Sequence, residues 1–163
     1  MNQNTAGHDL SLLLDVLRPL SAQYGLHGEV VDIDGALIYQ APWLGDGDVT
    51  GVFIVTDPAY SQVQAYLTLP CRVGANGGRK AMDFVVRSGF GLRFGALEFD
   101  EDEGSLRVRT DAETTPEELA QSIPRLFERA LELARKVSPP WQAICGRTEK
   151  ASEEGHALRR YGF

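Results

Sequence analysis

Histidine, cysteine and methionine are scarce in this chain: three, two and two residues among 163. His8, His27 and His156 are scattered, with no H-x-x-x-H pair and no Cys/His cluster. A tetrahedral zinc site needs four close donors, so no metal site is expected. Cys71 and Cys145 form no C-x-x-C motif. The favoured reading is two reduced thiols in a cytoplasmic protein, with a disulfide between them left open. There is no G-x-S-x-G elbow, so no nucleophile is assigned and no enzyme activity is expected. No apolar run approaches the ~20 residues of a membrane-spanning helix. The N-terminal leucines are interrupted by Asp9 and Asp15 and lack the basic start of a signal peptide. Bases are also in deficit, 16 Lys+Arg against 23 Asp+Glu, for a formal net charge of −7. Phosphate binding is driven by Lys and Arg, so direct contact with nucleic acid or an anionic membrane is not expected. The balance suits a basic partner or plain solubility.

What is present is a globular pattern. Hydrophobic residues make up 43% of the chain, enough for a sizeable core. One domain is expected over 1–145, followed by a polar, flexible tail over 146–163. The central stretch, Gly89 to Arg109, reads as a hairpin. Leu92, Phe94 and Ala96 alternate with Arg93 and Gly95, and a bulge at Gly95 hands the apolar face to Leu97 and Phe99. Asp102-Glu103-Gly104 makes the turn. Leu106 and Val108 return inward, and Arg107 and Arg109 are placed across from Glu98 or Asp100. Four further strands are expected: Glu29 to Ile33 and Ala36 to Gln40 flank an Asp34-Gly35 turn, then come Val49 to Thr56 and Val63 to Pro70.

Three helices accompany these strands. The first runs from about Asp9, as its cap, to Tyr24, with Pro19 bending it. Leu10, Leu13, Leu14, Leu17 and Tyr24 form one stripe, and Leu12, Val16 and Leu20 a second. The second helix, about Arg79 to Arg87, carries Met82, Val85 and Val86 inward. The last opens on a capping box, Thr115-Pro116-Glu117-Glu118. Its seam is Leu119, Ile123, Leu126, Ala130, Leu133 and Val137, heptad-like in spacing. Pro124 kinks it, Pro139-Pro140 ends it, and Trp141 and Ile144 dock back. The order is helix, three or four strands, helix, two strands, helix: an α+β fold, an antiparallel sheet with helices at the N-terminus, middle and C-terminus. Two helices with spare apolar faces need more cover than one sheet gives. Leu12, Val16, Leu20, Leu119, Ile123, Leu126, Ala130 and Leu133 are therefore candidate interface residues, for a homodimer or another protein.

Two other stretches have a functional reading. Gly74-Ala75-Asn76-Gly77-Gly78-Arg79-Lys80 places glycines before a helix with bases in its first turn, a setting for anions. The P-loop frame fails, because Arg79 stands at the second glycine position and Ala81 follows Lys80. A nucleotide or small ligand at the Gly74 to Lys80 loop is the alternative function; a flexible turn is the default. Asp100 to Glu103 lacks the alternating ligands of a calcium loop and reads as a solvated hairpin tip.

Leu69-Pro70-Cys71-Arg72-Val73, the helix end Val86-Arg87-Ser88-Gly89-Phe90, the strand Gly91 to Asp100 and the return Leu106 to Thr110 resemble the bacterial YbjN family. The likeness covers about Val49 to Val137. That family's domain is similar in fold to type III secretion chaperones, in shorthand α-β-β-β-α-β-β-α. The resemblance implies a small acidic dimer that holds another protein, no cofactor, no catalytic residues, and links to stress responses. It further implies a damage-response single-stranded-DNA-binding protein as a candidate partner. The Gly74 to Gly78 loop departs from the family's usual charged loop, so nothing is carried onto it.

Overall fold

The computed structural model describes residues 3–57 and 61–160, with side chains for 10–57 and 61–146. Local chemistry sets the first hairpin. Strands β1 (Glu29–Ile33) and β2 (Ala36–Pro42) are joined by Asp34 at φ 53° and Gly35 at φ 92°. Two successive positive φ values make the primed turn that matches strand twist, and Asx-Gly tolerates them best. Asp32 Oδ1 accepts the Gly35 N–H at 2.9 Å, which locks the turn. β3 (Gly51–Asp57), β4 (Gln62–Thr68), β5 (Ala96–Asp100) and β6 (Ser105–Glu113) complete one six-stranded antiparallel sheet. The strand order is β1-β2-β3-β4-β6-β5. The helices are α1 (Gln3–Tyr24), α2 (Gly78–Gly89) and α3 (Leu119–Arg160), the last preceded by a 3-10 turn over Pro116–Glu118. The α+β architecture is the expected one, with four strands before α2.

Burial alternates along β2, β3, β4 and β6, as the period of two requires. Leu37, Tyr39, Ala41, Val52, Ile54, Val63, Ala65, Leu67, Leu106 and Val108 face one layer. α3 packs on β4 and β6, α1 packs on α3, and α2 packs on β5. Phe84 of α2 and Phe99 of β5 both meet Trp141 of α3, with ring centroids 6.0 and 6.1 Å away. At the other end Tyr24, Trp43 and Phe127 pack together, the closest pair 4.9 Å apart. All three helices therefore lie on one side of the sheet. None of the described helices is long and apolar enough to cross a membrane.

Several expectations are corrected. α1 begins at Gln3, so Asp9 lies within the helix instead of capping it. The hairpin arm starts at Ala96, not near Gly91. Gly91 and Gly95 have φ of 81° and 82°, which extended backbone does not allow. A β-carbon at Gly95 would stand 2.6 Å from the Arg109 carbonyl oxygen, so this is a glycine-only close approach and not a bulge within a strand. Pro139-Pro140 does not end the last helix. α3 runs through both to Arg160, 42 residues, about 63 Å at 1.5 Å per residue. Each interior proline costs about 3 kcal/mol. The offset is burial of Trp141 and Cys145 beyond them. The helical backbone thus continues into the segment assigned to a tail, through 146–160.

The capping box is present as expected. Glu118 Oε2 accepts the Thr115 N–H at 3.2 Å, and the Thr115 side chain faces the Glu118 backbone in return; the Glu118 N–H also donates to the Thr115 carbonyl at 3.0 Å, closing the 3-10 turn. Arg107 and Arg109 each meet Glu98 at 2.8 Å across β5 and β6.

Candidate binding surfaces

The predicted interface seam is the interior of a single chain. Val16, Leu20, Ile123, Leu126, Ala130 and Leu133 are buried against the sheet and each other, and only Leu12 and Leu119 stay half-exposed. Helical periodicity identified the buried stripe but not what buries it. Thr110 Oγ donates to the Leu126 carbonyl at 2.9 Å, tying β6 to the same turn of α3. These eight residues leave almost no surface for a second chain.

Apolar side chains are open elsewhere. α2 turns Ala81, Phe84 and Val85 toward the core. Its opposite side presents Met82 at 48% exposure and Val86 at 66%. Both were expected to point inward; the inward partners of Val85 are instead Ala81 and Phe84, one turn apart. Phe90 follows at 91% exposure and Phe94 at 62%. Spacing of four residues keeps Met82 and Val86 on one line, and Phe90 extends it just past the helix end. Arg129 of α3 stacks over Phe94, 4.6 Å from the ring centroid. Sequence pattern missed these residues because Met82 and Val86 read as inward-facing and Phe94 read as a strand residue.

The second open surface is the side of the sheet away from the helices. One row across it is Val31, Ile38, Val55, Gln64 and Asp111. A parallel row is Gln40, Phe53, Tyr66 and Arg109. Val31, Ile33 and Phe53 are exposed. The half toward β5 is charged: Glu98 ties down both Arg107 and Arg109, and Arg107 stacks 4.8 Å over Tyr66.

The entry to the glycine-rich loop is tethered, while Gly74, Ala75 and Asn76 are exposed. The Val73 N–H donates to the Gly104 carbonyl at 2.9 Å, and Arg72 pairs with Glu103 at 3.3 Å. At the start of α2, Glu101 Oε1 lies 3.8 Å from where a β-carbon on Gly78 would stand. A carboxylate beside a helix N-terminus already satisfies the dipole there and competes with any incoming anion. Arg79 and Lys80 are exposed. No group of three metal-ligating side chains occurs among the described residues. His27 is exposed, and the side chains of His8 and His156 lie outside the described residues. Cys71 is exposed and Cys145 buried.

One titrating contact pins the loop after β2. Asp46 Oδ2 accepts from Arg135 Nη2 at 2.8 Å and Nε at 3.2 Å, and Trp43 Nε1 donates to Asp46 Oδ1 at 3.3 Å. The hydrogen bonds from Arg135, its charge and the Trp43 indole hold the Asp46 carboxyl below its ordinary value, against a smaller opposing effect of burial. A depressed folded-state pKa means the contribution is complete above the ordinary carboxylate range and lost as pH falls through the folded value. Both partners are partly solvated, so the pair contributes under about 1 kcal/mol. Asp46→Asn should lower stability at pH 7 slightly and flatten its decline as pH falls below the ordinary carboxylate range, read by thermal melting across an acid series. Equal slopes for both proteins would remove Asp46 from the acid response.

No family model matches this chain, no curated protein matches it, and no solved structure matches it.

Proposed function

We propose that this protein is a non-enzymatic, protein-binding adaptor, chaperone-like in holding another polypeptide, and that it works as a homodimer in the cytoplasm. The observation that carries the reading is the exposed apolar group Met82 and Val86 on one line of α2, with Phe90 and Phe94 exposed in the segment after it. Fully burying such a side chain is worth about 1.5–3 kcal/mol, and contiguous apolar surface rimmed by polar groups marks an interface. Arg79, Lys80 and Arg93 are exposed near the two ends of this group and would stay solvated at the rim of a two-fold contact. The client we propose is a single-stranded-DNA-binding protein in a stress or DNA-damage response. That choice rests on the resemblance to the YbjN family.

Sedimentation equilibrium tests the dimer. The chain mass is 17.9 kDa, and twice that mass is expected at tens of micromolar. Phe90→Asp should return the protein to the single-chain mass with an unchanged circular dichroism spectrum, because Phe90 contributes almost nothing to the core. A wild-type monomer at that concentration, or a Phe90→Asp protein that is still dimeric, rejects this surface as the dimer contact.

A further inference from the structure

We propose that the bare side of the sheet carries a trough that takes an extended, basic segment of a partner protein. The proposal rests on the reading of the chain as a protein-binding module and adds the binding surface and the chemistry of what it holds. Two hollows lie on this side, of about 490 and 350 Å³. They share Gly51 and Phe53, so they adjoin at these two residues, with the exposed Phe53 side chain where they meet. The first half reaches Glu29 of β1 and Gln40 and Pro42 of β2. The second reaches Thr68 of β4, Arg107 of β6 and Asp100 of β5. The depression therefore crosses all six strands near one end of the sheet. Five strand spacings amount to about 24 Å, the reach of roughly seven extended residues.

Its charges are unequal. The two cations in it are already held: Arg107 by Glu98 and by the Tyr66 ring, Arg72 by Glu103. Glu29 at one end hydrogen-bonds only a neutral amide, Gln40 Nε2 at 2.6 Å. Asp100 at the other end accepts the Glu103 backbone N–H at 3.0 Å. Neither makes an ion pair among the described residues. The adjoining β5–β6 turn adds Asp102, which makes none either. Among the described residues, the bases without an ion pair (Arg79, Lys80, Arg93, Arg125 and Arg129) belong to the helices and the loop after α2. The trough thus has Phe53 in its middle, Glu29 at one end, and at the other a charged end where the bases are paired and Asp100 is the acid left without an ion pair. Its complement is an extended segment with an aromatic or β-branched residue over Phe53 and Lys or Arg at each end.

The test uses fluorescence anisotropy with the full chain and a labelled synthetic peptide, Lys-Thr-Val-Thr-Phe-Thr-Val-Thr-Lys. A second peptide has Glu at both ends. The lysine peptide should bind at least tenfold more tightly at low salt, and the gap should narrow as salt is raised. Phe53→Ser should weaken it at least fivefold. Glu29→Gln combined with Asp100→Asn should remove the preference between the two peptides. All three residues are at the surface, so folding is expected to survive, checked by an unchanged melting curve. Equal affinities for the two peptides, absence of binding, or indifference to Phe53→Ser would each overturn the proposal. So would a short oligothymidylate that outcompetes the lysine peptide, which would make this side a stacking platform for nucleic acid. If Phe53→Ser halves the sedimenting mass, a second copy covers the trough and the proposal falls. Sedimentation of the same samples reports the α2 contact separately: a dimer that ignores the peptide refutes the trough alone, and a monomer that binds the peptide refutes the dimer alone.

Discussion

Ala130→Glu should abolish the folded state and leave no dissociated but folded subunit. Ala130 is fully buried on α3, one turn past Leu126 and Phe127 and under the β4 and β6 strands. A carboxylate there has no cation within the core to meet; Arg129 and Arg135 are on the solvent side of α3. An unpaired buried charge costs several kcal/mol, and the larger side chain adds overpacking of about 1–3 kcal/mol. A domain of this size has a total stability of about 5–15 kcal/mol. The expected result is loss of the cooperative melting transition and of near-ultraviolet circular dichroism at 25 °C. Leu126→Glu should behave alike. Phe90→Asp, also a new acid on an apolar residue, should do the opposite: lose association and keep the fold. A folded Ala130→Glu protein with a wild-type melting temperature would place that side of α3 in water and contradict the packing of the helix layer.

The contrast between Ala130 and Phe90 shows where sequence is informative. Spacing of four and three along Leu119 to Val137 identified a buried stripe correctly, since burial is what periodicity encodes. It does not encode whether the cover is the chain's own sheet or a second molecule. That depends on how much apolar surface the rest of the chain offers, and here the sheet covers α3 while α1 packs on α3. The reading of Phe94 failed for a different reason. Alternation of Leu92, Phe94 and Ala96 matches a strand, but Gly91 and Gly95 take positive φ and break the extension. A glycine flags this freedom without saying that it is used. The Asp34-Gly35 hairpin was legible because its turn type is dictated by the two residues themselves. The trough had no signal of its own, because its parts come from six separate strands and the loops that join them. Its one trace is the alternation that leaves Phe53 on the side opposite Val52 and Ile54.

Pro139-Pro140 is the sharpest case of local preference losing to packing, and Trp141→Ala measures it. The indole is fully buried between Phe84 and Phe99, and Cys145 one turn later is buried too. Ser138 beside the prolines is buried, its Oγ accepting from Gln142 Nε2 at 2.9 Å across the same turn. Gln142 Nε2 also reaches the Gly47 carbonyl at 3.3 Å, joining this turn to the loop after β2. The helix past the prolines therefore closes the end of the core under α2 and β5. Trp141→Ala should lower stability by about 3–5 kcal/mol, read as a fall in the denaturant midpoint at unchanged slope. Trp141→Phe should cost clearly less. Its ring keeps most of the contacts, and the Trp141 indole N–H has no acceptor among the described residues, so no hydrogen bond is lost. A loss under about 1 kcal/mol for Trp141→Ala, within the range of an ordinary surface change, would mean that the chain past Pro140 does not close the core. A large loss for both variants would instead mean that the indole nitrogen is satisfied in solution and that its partner is a group this packing leaves out.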